Sequence, residues 1–201
     1  MKHNDKKTRI IEAALKIFAK NGFYNSKISE IAKEADVADG TIYLYFKSKD
    51  DLLISLFEYE GEFIVANMKK EMSKVDDPIE KIRTFASSHL NMITRNRDLA
   101  IIIQVELRQS SKFMKEYVNK KFVEYLNLIS YVIHEGQRKG IIREEIKPGI
   151  FKRAFFGALD EMARYWVLSP SKKYNPASSA KEISDIFVRG LIKEGYLKKY
   201  F

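Results

Sequence analysis

Two short segments with helical apolar spacing constrain the fold of this chain most. Residues 28–35 repeat apolar side chains on one helical face, and residues 39–46 turn Ile42 and Phe46 inward. The three residues between them, 36–38, are too few for anything but a tight turn. Two short helices joined by such a turn, the second displaying hydrogen-bonding side chains, form the helix-turn-helix arrangement.

The residues that flank this pair fit a surface that contacts DNA. Ser26 is expected to cap the first helix, with its hydroxyl accepting from the open amides of the first turn. Lys47 and Lys49 follow the second helix, where phosphate oxygens would lie if that helix entered a major groove. A helical hairpin in the core of some other all-α protein is the alternative interpretation.

The remaining chain predicts helix nearly throughout. Its four Pro and nine Gly lie almost entirely outside the long periodic stretches, so we expect an all-α fold. Residues 99–107 are rich in β-branched side chains and permit a strand, but the absence of a partner strand favours a helix. The helices are predicted at about 6–21, 48–74, 78–95, 99–107, 113–139, 147–168 and 178–193.

Composition and charge limit the possible classes of protein. The chain has 201 residues, 45% of them hydrophobic, and no cysteine, so disulfides and thiolate metal sites are excluded and a reducing cytoplasm is expected. No apolar run reaches the roughly 18 residues that span a membrane, and residues 1–9 do not fit a secretory signal. Residues 1–50 hold ten Lys/Arg against seven Asp/Glu, only +3 of the net +9. DNA binding is therefore predicted from residue placement, not from total charge.

An enzyme is not indicated by any motif. The three histidines, His3, His89 and His134, are scattered without the spacing of a zinc site, and no phosphate-binding glycine loop or nucleophile motif is present. His89 falls on a helical face and is interpreted as a core or interface residue. We therefore expect no catalytic residue, no metal and no cofactor.

The string DGTIYLYFKSKDDLL, residues 39–53, resembles the signature of the TetR family of bacterial regulators. The resemblance implies a helix-turn-helix DNA-binding domain at residues 1–47 and a larger helical ligand-binding and dimerisation domain at 48–201. It also implies a homodimer formed by the last two long helices that reads a palindromic operator, with half-sites about one helical turn, roughly 34–36 Å, apart. Ala38 stands where the family often has a serine cap.

The position of each residue in this motif gives the predicted DNA contacts. Thr41, Tyr43 and Tyr45 are expected at base edges and nearby phosphates. Gly40 lets the backbone approach, Leu44 offers contact to a thymine methyl group, and the lysines hold phosphate. The predicted DNA-binding residues are Ser26, Lys27, Gly40, Thr41, Tyr43, Leu44, Tyr45, Lys47 and Lys49.

Within the family, three strings resemble the fatty-acid-degradation repressors of Bacillus-type bacteria: residues 37–57, 99–110 and 156–169. That resemblance implies release from DNA by long-chain acyl-CoA. An acyl chain needs an apolar tunnel, and the CoA phosphates need cations such as Arg108, for which pairing with Asp160 or Glu106 is expected. The predicted ligand-binding residues are Phe63, Phe85, Leu90, Ile93, Ile103, Leu107, Arg108, Phe155, Leu159, Asp160 and Trp166.

Two other functions remain open from the sequence. A regulator of an efflux pathway would hold a cation with carboxylates and aromatic rings, and Glu106, Asp160 and Tyr165 suit that task. A helical interaction protein that binds no DNA is the further alternative.

Overall fold

The structure, a computed structural model, describes residues 5–106, 120–169, 171 and 173–201. Its helices are α1 (Lys6–Asn21), α2 (Ile28–Glu34), α3 (Asp39–Tyr45), α4 (Lys49–Met72), α5 (Pro78–Arg95), α6 (Arg97–Ile101), α7 (Lys120–Arg138), α8 (Pro148–Leu168), α9 (Pro176–Leu191) and α10 (Leu197–Tyr200). The described residues contain no strand, and Ile142 and Ile192 form an isolated antiparallel bridge. The predicted all-α fold is confirmed. No helix in this part of the chain is long and apolar enough to cross a membrane.

The described residues pack into two compact units. The first contains residues 5–62 and 96–106, and the second contains residues 63–95 and the described residues from 120 onward. The first unit therefore takes in part of α4, all of α6 and the turn that follows it. A domain boundary after residue 47 stays a prediction.

The first unit is built around the three N-terminal helices. Asp5 begins α1 because its carboxylate accepts a hydrogen bond from the Thr8 amide at 2.7 Å, and Gly22 ends α1 with φ 79°. The bounds predicted for α1 are those observed. The buried side chains that hold α1, α2 and α3 together are Ile10, Ala14, Phe18, Ile31, Ile42 and Phe46.

The start of α2 differs from the expectation. Lys27 is the residue that precedes the helix, and its amide donates to the Glu30 carboxylate at 2.9 Å. The Ser26 hydroxyl points the other way and donates to the carbonyl oxygens of Gly22 at 2.7 Å and Ile17 at 3.2 Å. The prediction that Ser26 caps α2 is wrong, because its hydroxyl instead ties the preceding loop to the end of α1.

The start of α4 agrees with the expectation. The Ser48 hydroxyl accepts from the Asp51 amide at 3.1 Å, and the Asp51 carboxylate accepts from the Lys47 amide at 2.8 Å. This reciprocal pair satisfies the Asp51 amide, which the helix itself leaves open, and the Lys47 amide just before the helix. Ser48 therefore caps α4, which runs as far as Met72.

The segment after α5, for which we predicted a helix and not a strand, is helical over its described residues. Helix α6 passes into a π-helix at Ile102–Glu106. Leu107, Arg108 and the predicted start of the next helix near residue 113 lie outside the described residues. A 3₁₀ turn at Glu194–Tyr196 and the short α10 after it were not predicted.

The second unit packs α5 against α7, α8 and α9. Arg83 on α5 donates to Asp185 on α9 at 3.1 Å and to the Tyr200 carbonyl at 3.1 Å, so it joins α5, α9 and the C-terminal helix. The side chains buried between these helices include Ile79, Ile82, Phe85, Ile129, Ile133, Phe155, Leu159 and Val188.

Gly136, near the end of α7, permits a close approach of Ile142. A Cβ atom on Gly136 would lie 2.3 Å from Ile142 Cδ1 and 2.6 Å from its Cγ1. The Gly136 carbonyl also accepts from the amides of Ile141 at 3.0 Å and Ile142 at 3.1 Å, which fixes the chain at this point. The turn cannot move away from an added methyl group without losing these bonds.

We therefore expect Gly136→Ala to destabilise the protein by about 1–3 kcal/mol through overpacking. Urea unfolding followed by circular dichroism measures the change. Gly149→Ala is the matched control, because a Cβ there would meet only Arg153 Nη1 at 3.9 Å. An equal and small effect of both substitutions would contradict the tight packing of Ile142 against Gly136.

Candidate functional site

Helix α3 separates a buried side from an exposed one. Ile42 and Phe46 are each 1% exposed and anchor it in the core of the first unit. Tyr43, Leu44 and Tyr45 are 58%, 82% and 42% exposed. Burial of large apolar residues is the rule, so three exposed ones in succession on a helix indicate a contact surface.

The N-terminal turn of α3 is open. Ala38 precedes the helix and supplies no side-chain hydrogen bond, and the Thr41 amide bonds to the Ala38 carbonyl at 2.8 Å. An added Cβ on Gly40 would meet nothing within 4 Å, so the backbone here is accessible. Thr41 is half-buried beside it. These positions agree with a surface that a nucleic-acid backbone can approach.

The lysines around α3 have different roles. The Lys27 and Lys47 side chains are exposed. Lys49 is not: its Nζ donates to the carbonyls of Tyr24 at 3.0 Å and Ser26 at 3.1 Å, and lies 4.8 Å from the centre of the Phe23 ring. Lys49 therefore holds the α1–α2 loop against the start of α4. Lys27 and Lys47 remain open to phosphate, whereas the inward-directed Ser26 hydroxyl does not.

The interior of the second unit brings together part of the predicted ligand-binding set. Phe85 on α5 and Phe155 on α8 lie 6.2 Å apart between ring centres, and Leu159 is fully buried. Leu90, Ile93 and Trp166 line a small cavity of about 10 Å³ together with Met162, Ala163 and Pro176. Its walls are aromatic and aliphatic, and at this volume it has room for no more than a single water-sized group.

The whole of that set is not gathered in one place. Phe63 is 50% exposed at the start of the second unit, and Ile103 belongs to the first unit. Asp160 and Trp166 are half-buried, and the indole of Trp166 donates to the Tyr174 carbonyl at 2.8 Å. Leu107 and Arg108 are outside the described residues, so the expected pairing of Arg108 with Asp160 or Glu106 stays a prediction.

The interior also holds a polar pair, His89 on α5 and Tyr125 on α7. The imidazole Nδ1 lies 2.9 Å from the Tyr125 hydroxyl, and both side chains are buried. Burial lowers the pKa of His89 to about 4, against a smaller opposing effect of the Asp160 carboxylate. The expectation that His89 is a core residue is confirmed. Sequence reasoning gave no special place to Tyr125, because its apolar ring fits the helical pattern of α7 like any core residue.

The Glu106 carboxylate, one of the two partners expected for Arg108, has a hydrogen-bond partner among the described residues. It is 5% exposed and accepts from the Phe23 amide at 2.5 Å, in the loop that follows α1. Gly22 lies beside it, with Glu106 Oε2 3.7 Å from the position of an added Cβ. Glu106 thus anchors the π-helix to the α1–α2 loop. Its use there leaves less reason to assign it to a cationic ligand.

The described residues contain no cluster of His, Asp and Glu suited to a metal ion. What the two units offer is an exposed tyrosine-rich helix and an apolar interior with one polar pair. This arrangement suits binding of two different partners.

Two family descriptions match the chain in succession. Residues 10–56 match the family described as bacterial regulatory proteins, tetR family, and residues 57–190 match the YsiA-like protein, C-terminal region. The second match begins directly after the first.

Individual relatives agree with these matches. The fatty acid metabolism regulator protein of Bacillus subtilis is 37% identical over 184 residues, 91% of this chain and 94% of that protein. The crystal structure of FadR from B. subtilis in complex with stearoyl-CoA has a TM-score of 0.84 at 35% identity and covers 90% of this chain and 97% of that one. FadR from Bacillus halodurans, a fatty acid degradation regulator, gives a TM-score of 0.82 at 35% identity, with 91% and 98% covered.

These relatives are transcriptional regulators, as expected for a protein that is not an enzyme. The resemblance first seen in residues 39–53 extends through both units, since matching regions run from residue 10 to residue 190. The chain belongs to the TetR family of bacterial regulators.

Proposed function

We propose that this protein is a homodimeric repressor of fatty-acid-degradation genes that leaves its operator when long-chain acyl-CoA binds. The observation that carries the proposal is the likeness to B. subtilis FadR over 90% of the chain, since that protein was crystallised with stearoyl-CoA. The likeness includes the effector half, which the match at residues 57–190 covers. A bacterial operator lies in the cytoplasm, which is therefore the proposed location.

DNA binding is assigned to the exposed face of α3. Tyr43 and Tyr45 offer hydroxyl groups to bases or phosphates, Leu44 offers an apolar contact to a thymine methyl group, and Thr41 lies at the open N-terminal turn. Lys27 and Lys47 supply cations for the flanking phosphates. One helix of this length makes too few base contacts for tight binding, so two copies reading a palindrome are proposed.

The proposed dimer interface lies on the outer faces of α8 and α9. On α9, Ile186 is 69% exposed, and Ile183, Phe187 and Gly190 share its helical face. On α8 the exposed Ile150, at 66%, begins a similar row that continues through Ala154 and Gly157 to the half-buried Ala158. Apolar rows with small residues permit two helices to approach closely, which is the requirement for a four-helix interface between two copies.

The proposed release mechanism is a shift between two conformations. An effector lowers DNA affinity only by the difference in its affinity for the two conformations. Helix α4 is the proposed route, because its residues up to 62 belong to the first unit and its later residues to the second. Binding of acyl-CoA in the second unit would favour the conformation in which the two α3 helices are wrongly spaced.

A gel-shift titration tests this function. Genomic fragments bound by the purified protein are first selected, and the complex is then titrated with palmitoyl-CoA, free CoA and a hydrophobic drug cation. We expect palmitoyl-CoA alone to release the DNA. Release by the cation instead would support the efflux alternative, and failure of any acyl-CoA to release DNA would exclude acyl-CoA as the effector while leaving DNA binding intact.

Tyr43→Ala is expected to weaken operator binding without changing the fold. A lost hydrogen bond of about 1 kcal/mol in each of two subunits corresponds to a decrease in affinity of roughly 30-fold. Fluorescence anisotropy with a labelled operator measures it. Tyr131→Ala is the matched control, because Tyr131 is similarly exposed, at 66%, but lies on α7. Unchanged affinity of the Tyr43 variant would remove α3 from the DNA interface.

A further inference from the structure

His89 presents a hydrogen-bonding group that nothing in the described structure uses. The side chain is only 4% exposed, and its Nε2 has no partner among the described residues. Its ring is stacked on Phe85, with 6.3 Å between centres, and meets the Phe156 ring edge-on at 5.6 Å. A buried polar atom without a partner costs about 1–3 kcal/mol, so its retention in an aromatic cluster calls for an explanation.

The hydrogen bond to Tyr125 determines which nitrogen carries the proton. Burial lowers the pKa of His89 to about 4 and raises the pKa of the Tyr125 hydroxyl, so both groups are neutral near pH 7. If Nδ1–H donated to Tyr125, both the tyrosine proton and Nε2 would be without partners. If the tyrosine donates to Nδ1, at 2.9 Å, only Nε2–H remains. The second arrangement leaves fewer unsatisfied groups, so Nε2 is a hydrogen-bond donor.

This donor lies between α5 and α8, two helices that also enclose a small apolar cavity. The cavity of about 10 Å³ is lined by Leu90 and Ile93 on α5 and by Met162 and Trp166 on α8. Leu90 is the neighbour of His89 in the chain, and Phe156 precedes Met162 on α8 by less than two turns. An apolar chain that separates α5 from α8 at the cavity would therefore reach the His89 ring.

We propose that Nε2–H of His89 donates a hydrogen bond to the carbonyl oxygen of the acyl thioester, and so lets the protein distinguish acyl-CoA from other amphiphiles of the same length. The inference rests on the proposed acyl-CoA response. A saturated acyl-CoA has one hydrogen-bond acceptor at the junction of its hydrocarbon tail with the rest of the molecule, the thioester carbonyl. His89 supplies a single neutral donor set between the rings of Phe85 and Phe156, which matches one carbonyl oxygen. Tyr125 is the positioning residue, because it fixes the tautomer.

The test compares palmitoyl-CoA with S-hexadecyl-CoA, a thioether of similar length that lacks the carbonyl. Isothermal titration calorimetry on the full-length protein gives the two dissociation constants. We expect the wild type to bind the thioester about tenfold more tightly than the thioether, the value of one buried hydrogen bond. In His89→Phe the ratio should fall to near one. His89→Gln, which restores an N–H donor, should recover part of the preference.

The double variant His89→Phe/Tyr125→Phe removes both polar groups and leaves neither of them buried without a partner. It therefore replaces His89→Phe in the test if that single variant does not fold. It should also bind the two ligands alike. Tyr125→Phe should reduce the preference without removing it, since the donor remains but its tautomer is no longer fixed. If every His89 variant keeps the wild-type preference for the thioester over the thioether, the role of His89 is overturned but the acyl-CoA response is not. Failure of the wild type to bind either ligand overturns the acyl-CoA response itself.

Discussion

Ile186→Asp is expected to convert the dimer into monomers and to lower operator affinity by about 100-fold or more. The side chain is 69% exposed on α9, so aspartate at this position costs the isolated subunit little. In the proposed interface, both copies of the charge would be buried without a partner. An unpaired buried charge costs several kcal/mol, and each 1.4 kcal/mol corresponds to tenfold in an equilibrium constant. Loss of the dimer also removes the link between the two half-sites.

Analytical ultracentrifugation measures the mass in solution, and fluorescence anisotropy measures operator binding. Val123→Asp is the matched control, because Val123 is also β-branched and 52% exposed but lies on α7. It should remain a dimer and bind DNA like the wild type. A dimeric Ile186→Asp protein with full operator affinity would place the interface elsewhere.

Local signals in the sequence were sufficient to predict where most helices begin and end. The predicted range 6–21 is α1, because Gly22 must end the helix with a positive φ. The predicted range 78–95 is α5, since residues 76–78 break the chain and its apolar side chains keep one helical face. The exposed face of α3 follows from the same reasoning, because Ile42 and Phe46 are one turn apart and direct the other side chains outward. Periodicity and capping act within a few residues, which a sequence displays directly.

Contacts between distant segments were not predictable in this way. The Glu106 carboxylate finds the Phe23 amide 83 residues away, and nothing in either segment specifies the other. Lys49 fits a phosphate contact by its position after α3, yet its amine is taken by the carbonyls of Tyr24 and Ser26. The His89–Tyr125 pair joins two helices whose apolar patterns look ordinary. Each of these depends on tertiary packing, which apolar spacing along the chain does not determine.

His89 should make the protein lose stability as the pH falls from 6.5 to 4. Its pKa is lowered by burial from an ordinary 6.5 to about 4 in the folded protein. Below pH 6.5 the unfolded chain therefore gains a proton at this site that the folded protein does not accept until about pH 4. The difference of roughly 2.5 pKa units corresponds to about 3 kcal/mol, all of it lost by pH 4. Above pH 6.5 the imidazole is neutral in both the folded and the unfolded protein, so no stability is lost at this site.

Because carboxylates also titrate in this range, the effect is isolated by comparing variants. Urea unfolding at several pH values between 6.5 and 4 should show a steeper decline for the wild type than for His89→Phe, with a total difference of about 3 kcal/mol. The unpaired Tyr125 hydroxyl in that variant lowers stability equally at each pH and so cancels. His134→Phe, which replaces an exposed histidine on α7, should follow the wild type. Parallel curves for the wild type and His89→Phe would mean that the His89 side chain is hydrated and takes a proton in the folded protein. An imidazole open to water would not present the single neutral donor that recognition of a thioester carbonyl requires.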